Sequence, residues 1–453
     1  MPQILMLAIG VTGLVAVASL VLVVGRSWTL LVGLTVVCGL IQTPLVSIFE
    51  STAFQLIDDV PAIVLAVVSV CIALKSRDSR DHRALMVVSL LICLMLFALV
   101  RSPTLDVGVA QARQVLMPAG LVFAGFTLRN AIDWRVVWRV VLIAGLLTAA
   151  YVVVEELFQT PLIDPVWYYL NAVGASQLTL RDGLPLSYWA DVGQGVIFRP
   201  GGPFMNPPIT GFALGAAAYA STVLARGIVR FAFLTLIAGA LVACYARAGM
   251  VIFVIVIIMH LVWVHLGKFA GVIAAVAFIS AALATFLEEG NTASHTDGLL
   301  SGIRTAVESP LGLGFGTTGY QAVLEGASAG VGSESLLGLY LAWLGLPMLV
   351  VIVAVAIKLV RLLTTTERAQ SRPIWMAIAV LTTAAVSESA SSIAATTSLW
   401  LHLGLVLAGT ALDGSATSPP LWDNERHRAR RDRDQYRYAG CPPRSLPPRD
   451  KKQ

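Results

Sequence analysis

"ILMLAIGVTGLVAVASLVLVVG", residues 4–25, holds no charged side chain in 22 positions. As a helix it would be roughly 33 Å long at about 1.5 Å per residue, enough for the ~30 Å hydrocarbon core of a bilayer. No basic stretch precedes it and no small-residue cleavage site follows it, so it reads as a retained span and not as a signal peptide. Similar runs recur to about residue 412, at 28–49, 57–74, 84–100, 107–127, 137–156, 209–225, 229–245, 249–266, 269–287, 335–360, 374–391 and 394–412. Together they predict an all-α, polytopic transmembrane helix bundle of about 13 spans. Composition agrees: of 453 residues, 57% are hydrophobic and 13% charged, and a soluble protein carries roughly twice that charged share.

The charges also orient the bundle. Of 31 Lys and Arg, 15 fall in one alternate set of connections and 5 in the other (Arg101, Arg181, Arg199, Arg247 and Arg304), while Arg113 sits within a span and 10 lie in the C-terminal tail. The positive-inside rule therefore predicts an N-terminus outside and a cytoplasmic tail, in a bacterial plasma (inner) membrane. Sixteen of the 26 acids lie in or beside the outer connections, as that orientation requires. Four of the five cysteines are expected in spans and none falls in a long outer loop, so no disulfide framework is implied.

Most connections are short, but 157–208 and 288–334 are long, and both fall on the outer face. Long loops in a compact fold are usually functional or disordered, and ordinary aromatic density argues against disorder here. The predicted organisation is a membrane bundle over 1–413 with these two extracytoplasmic loops, followed by a basic, Pro-rich tail over 414–453 that should not pack a core. No internal repeat is visible, which counts against transporter folds built from two repeated halves.

Within the loops, four stretches carry candidate chemistry. In "SHTDGLLSGIRTAVESPLGLGFGTTGY", residues 294–320, Ser294 or Thr296 can cap a helix running to about Ser309. His295 lies at the helix start, where backbone N–H groups favour an anion. Arg304 is nine residues on, hence on the opposite face, with Glu308 four residues away for a local ion pair. The second stretch is "FRPGGPFMNPPITGFAL", residues 198–214, in which prolines and glycines fix the backbone beside Arg199, a side chain suited to bidentate phosphate contacts or to ordinary headgroups. Third, Arg247 in "CYARAGM", residues 244–250, stands in a short outer turn between apolar helices and offers a second anion contact. Fourth, Glu334 in "GSESLLGLYLAWLGLP", residues 332–347, is either a helix-capping carboxylate or a general base for a sugar hydroxyl, with Ser333 or Ser335 as the cap.

Other polar residues are weaker candidates. Gln111 and Arg113 should face the bundle interior; Glu155, Glu156 and Glu388 could line a polar cavity; Glu50, Asp58 and Asp59 form an outer acidic group of the kind that binds metal or is simply excluded from the cytoplasmic side. No P-loop, GxGxxG, HExxH or GxSxG occurs in a suitable setting, so ATP hydrolysis, nicotinamide redox chemistry and zinc proteolysis have no motif to rest on.

In their order along the chain, "RPGGPFMNPP", "ARAGMVIFVIVI", "ESPLGLGFGTTGY" and "SESLLGLYLAWLGLP" resemble the bacterial O-antigen ligase/polymerase family of membrane glycosyltransferases. The motif resemblance covers roughly residues 190–412. It implies a GT-C-like bundle acting as an inverting, metal-independent transferase without a cofactor, on saccharide carried by a polyprenyl diphosphate. Arg199 and Arg247 match the family's arginines, with Arg304 a further diphosphate contact and Glu334 or His295 the base. The ligase-type histidine beside the eleventh span is replaced by Glu334, which favours a polysaccharide polymerase of the cell envelope or exopolysaccharide type. A ligase for finished polymer, or a transporter or flippase for lipid-linked saccharide, are the alternatives. The partners so implied are the lipid-linked saccharide, membrane lipid and other polysaccharide-assembly proteins, with no nucleic acid.

Overall fold

The computed structural model describes residues 2–173, 179–191, 195–267, 273, 293–319, 335–367 and 370–409. The expected span 269–287, Glu334, the side chain of His295 and the tail over 414–453 lie outside the described residues. Among the described residues, eight helices are long and apolar enough to cross a membrane: α1 (Pro2–Val24), α2 (Trp28–Ile48), α3 (Leu56–Lys75), α4 (Ser79–Val100), α5 (Leu105–Thr127), α6 (Trp134–Phe158), α9 (Arg247–Leu266) and α12 (Leu346–Thr365). Between and after them come α7 (Pro207–Leu224), α8 (Gly227–Ala243), α10 (Ala293–Glu308), α11 (Leu336–Leu344), α13 (Arg372–Val386) and α14 (Ile393–Ala408). The chain is an all-α, multi-pass membrane bundle, because only helices and closed barrels satisfy their own backbone in lipid.

Burial sorts the helices into layers. In α7, 13 of 18 residues are buried, and in α14, 15 of 16, so both are packed on nearly every side and run through the interior. The best-spanning windows of α1, α4 and α12 are only 11%, 17% and 17% buried, and their exposed Leu and Val form the outer wall. Close approach is bought with glycine. A Cβ on Gly125 of α5 would strike the Leu401 carbonyl of α14, and one on Gly404 would strike the Val122 carbonyl of α5. These two reciprocal contacts set the spacing of the central pair. Asp78 caps α4 by accepting from the Arg80 amide at 2.8 Å, and that bond, with Arg129 beside it, holds the Asp78 carboxyl below the usual carboxylate range.

Three features depart from the sequence expectation. The span predicted over 335–360 is broken at Gly345, which has φ +68° and ψ −152°, into buried α11 and outward-facing α12. Gly345 tolerates that conformation, and a Cβ there would strike the Pro310 carbonyl, so the break and the glycine-rich stretch are built against each other. The loop over 157–208 contains two short antiparallel pairs, β1 (Leu180–Arg181) with β2 (Leu184–Pro185) and β3 (Trp189–Asp191) with β4 (Val196–Phe198). The first turns at Asp182-Gly183, both at positive φ, the Asp-Gly chemistry of a tight hairpin. Finally, α10 starts at Ala293, ahead of Ser294 and Thr296, so neither is its cap.

Residues 310–319 form a strap across the end of the bundle that also carries the long loops. Gly312, Gly314, Gly316 and Gly319 all have φ between +73° and +95°. The strap's amides and carbonyls are taken by neighbours: Leu313 N donates to Ala342 O at 2.8 Å, Phe315 N to Ala98 O at 3.2 Å, and Arg101 Nη1 donates to Gly312 O at 2.6 Å. Gln111 of α5 closes it, accepting from Gly316 N at 2.7 Å and donating to Thr318 O at 2.8 Å.

Substituting Gly125 or Gly404 by Leu should destabilise the purified protein by about 1–3 kcal/mol, the usual cost of overpacking. Gly13, where a Cβ would meet nothing within 4 Å, is the control. Thermal unfolding in detergent, followed by size-exclusion chromatography, should show both central variants melting lower and Gly13→Leu unchanged.

Candidate functional site

The segment "RPGGPFMNPP", residues 199–208, forms the described floor of the first long loop. Gly202 has φ +63° and Met205, a non-glycine residue, φ +52°, so the chain reverses sharply twice before α7. A Cβ on Gly201 would run into the Tyr188 ring. Asn206 then caps α7, accepting from Ile209 N at 3.2 Å with Pro207 in the first helical position.

Buried polar groups hold that reversal. Glu155, at 1% exposure in the last turns of α6, accepts from Gly202 N through Oε2 at 2.8 Å and from Leu162 N through Oε1 at 3.1 Å. Thr210 donates its hydroxyl to the Gly201 carbonyl. Tyr169 donates to Met205 O at 3.1 Å and accepts from the Ser187 hydroxyl at 2.8 Å. Tyr188 packs beneath, and burial pushes its phenol well above the ordinary value, so it stays neutral. A buried carboxylate with two amide donors is an anchor, not a wall of a cavity, which corrects the sequence reading of Glu155.

Arg199 leaves this floor and reaches the end of α8. Its Nε donates to Cys244 O at 3.0 Å, the carbonyl of the residue that ends α8, and its Nη2 to Tyr245 O at 3.3 Å, which also accepts from Arg247 N at 3.2 Å in the following turn. Burial holds its guanidinium below the usual value and Arg247 adds repulsion, yet an arginine remains a cation there. No carboxylate pairs with Arg199 among the described residues. Of the five N–H groups on a guanidinium, those two bonds use two.

Arg247 opens α9, with its guanidinium carbon 5.5 Å from the Tyr245 ring centre. That turn depends on Tyr245 at φ +49°. Gly249 of α9 and Gly211 of α7 cross so closely that a Cβ on Gly249 would strike the Gly211 carbonyl. The starts of α7 and α9 therefore lie side by side, and α9 begins without a side-chain cap. Two arginines and two helix N-termini meet at one end of the bundle, all favouring negative charge.

The remaining candidates divide. Arg304 bonds Glu308 at 2.7 Å on an exposed face of α10, the i,i+4 pair that the spacing predicts, and nothing among the described residues links it to Arg199 or Arg247. His295 lies in the first turn of α10 by its backbone. Ser335, next to Glu334, caps α11 by accepting from Gly338 N at 2.9 Å. Asp59 is held by Arg113 in a two-pronged bond (2.5 and 3.0 Å), while Asp58 is buried beside it. Glu388 sits half-buried in the turn between α13 and α14. Gln111 and Tyr169 are the residues whose roles sequence reasoning missed: each fixes a loop segment more than 30 residues away in the chain, Tyr169 within its own long loop, and neither stands in a motif.

No family model matches the chain, and neither the curated proteins nor the solved structures contain a match. The fold and site define a multi-pass, all-α membrane protein with a cationic, glycine- and proline-shaped floor at the end of its bundle.

Glu155→Ala should leave the buried Gly202 amide unpaired, at about 1–3 kcal/mol, and free the more exposed Leu162 amide at smaller cost. Glu155→Gln keeps one acceptor oxygen and should fall between. The check is the unfolding midpoint of the three proteins in one detergent; equal midpoints would remove Glu155 as the anchor.

Proposed function

We propose that the chain is a membrane glycosyltransferase, a polysaccharide polymerase that moves saccharide from a polyprenyl-diphosphate donor to a lipid-linked acceptor at the extracytoplasmic face. The observation that carries this reading is the meeting of Arg199 and Arg247 at the adjoining starts of α7 and α9, with no carboxylate paired to Arg199 among the described residues. Glycosyl transfer from such a donor breaks the bond between the anomeric carbon and the phosphate oxygen, and negative charge grows on the departing diphosphate. Cations and helix N-termini already in place where that charge develops lower the barrier without having to reorganise.

The acceptor hydroxyl attacks the anomeric carbon from the face opposite the leaving group, which inverts the configuration. Its proton passes to a base within hydrogen-bond reach, for which Glu334 and His295 are the two candidates. The donor bond is already activated, so the reaction needs no nucleotide. The lipid tail lies among the spans, and the two long loops lie over the sugars. The side of the membrane follows from the basic connections, which favour the cytoplasm and lie opposite these loops. A glutamate in the place of a ligase-type histidine supports polymerase over ligase.

Arg199→Ala should lower polymer formation by at least about a hundredfold, the usual cost of removing one preorganised charge contact. Arg199→Lys should recover part of it, since lysine keeps the charge and loses the fork. Because Arg199 also holds the end of α8, each variant is first checked for unchanged membrane insertion and unfolding midpoint. Mass spectrometry of polyprenyl-diphosphate saccharides then separates the readings. Build-up of single repeat units is the polymerase result, and build-up of long lipid-linked chains would make the protein a ligase. An unchanged pool, with normal polymer from Arg199→Ala, would overturn the assignment.

A further inference from the structure

The opposite end of the bundle gathers a second group of cations with a different environment. There α7 ends, α8 begins, α9 ends and α13 begins. Arg372 Nη1 donates to Thr222 O at 2.9 Å and Arg230 Nε donates to Ala225 O at 2.8 Å, so both side chains are pinned to the end of α7. Arg372 Nη2 also lies 3.2 Å from His260 Nε2. A guanidinium only donates, so His260 accepts there, carries its proton on Nδ1 toward the Ser371 hydroxyl at 3.3 Å, and is neutral.

Among the described residues no carboxylate cancels the two arginines. Asp78 and Asp81, in and beside the connection before α4, are both taken by Arg129 at 2.6 Å, and Asp133 caps α6. Among the described residues no carboxylate pairs with Arg230 or Arg372, although the two lie within electrostatic reach of each other. Arg372 Nε is buried with no acceptor. One turn further in, Trp263 and Trp375 meet edge to face at 5.6 Å, and both indole N–H groups are likewise buried without partners. Two guanidinium groups with no carboxylate partner among the described residues, and an Arg372 Nε without an acceptor, suit an anionic acceptor at this end.

We propose that Arg230 and Arg372 bind the phosphate of an anionic lipid headgroup in the leaflet at this end, holding α7 and α13 to it. Arginine meets phosphate through paired, charge-assisted bonds. Basic pockets between membrane helices are suited to such headgroups. Free phosphate has the same chemistry, but a site at helix ends in a membrane protein faces headgroups at far higher local concentration. The proposal is independent of the reaction at the other end.

The test is native mass spectrometry of the full-length protein in detergent, titrated with equal amounts of phosphatidylglycerol and phosphatidylcholine. The expected result is retention of phosphatidylglycerol by about fivefold or more per arginine engaged. Arg230→Gln should reduce that preference, and Arg230→Gln with Arg372→Gln should bring it to parity. Unfolding midpoints show which variants remain folded, and Arg230→Gln alone decides the matter if the double variant does not. In parallel, the wild-type midpoint is measured with millimolar inorganic phosphate. A rise matching that from phosphatidylglycerol, lost in Arg230→Gln, would assign the site to free phosphate and overturn the lipid. No headgroup preference, or a preference unchanged in Arg230→Gln, would overturn the site.

Discussion

Backbone that leaves a helix at the edge of a bilayer must find its hydrogen-bond partners within the protein, and most of the polar side chains described above serve that need. Glu155 answers two amides, Gln111 an amide and a carbonyl, and Arg199, Arg101 and Arg372 the carbonyls of neighbouring segments. Each is a long side chain that reaches across to a different element, Arg199 from the loop floor and the others from near helix ends. The loops are therefore ordered by charged and amide groups planted in the bundle, because their own strands are only two or three residues long.

On the proposed function, this economy gives Arg199 two roles from one position. By capping α8 it fixes the turn at Tyr245 and thereby the start of α9, where Arg247 lies. Its remaining N–H groups are held in place by the same two bonds. A guanidinium that is free to swing loses rotamer entropy when it binds, whereas one already tethered has lost much of it. A cation used as a structural cap is thus well prepared to act as an anion ligand, and the two descriptions of Arg199 reinforce each other.

The membrane character and most helix positions were legible because a span needs a long apolar run, and such a run is hard to mistake. The i,i+4 pair of Arg304 and Glu308 was legible too, since helical spacing alone brings those side chains together. What the sequence hid depends on contacts between distant segments. Gly345 sits in a run that is apolar on both sides; Pro347, at the start of α12, marks a break, but the Pro310 carbonyl packed against Gly345 fixes where the helix stops. Gln111 looked like a stray polar residue, and its partners lie more than 200 positions away. The hairpin at Asp182-Gly183 carried its turn signal in plain view, but strands of two residues are too short to show alternation.

α7 links the two ends. It is buried on nearly every side, capped at its start by Asn206 and held at its finish by Arg230 and Arg372. Glycines 211 and 215 press it against Ala246 and Ile252 of the neighbouring turn and helix. A helix clamped in this way cannot slide or tilt without breaking polar contacts at both ends, so the floor it carries is rigid. On the proposed function, adaptation to a large, lipid-borne ligand comes from the segments laid over that floor, among them the glycine strap, whose amides bond singly to the Ala342 and Ala98 carbonyls and the Gln111 side chain and not to a continuous ladder. A rigid cationic base under a looser cover is an arrangement suited to gripping a small charged group while tolerating variety in what is attached to it.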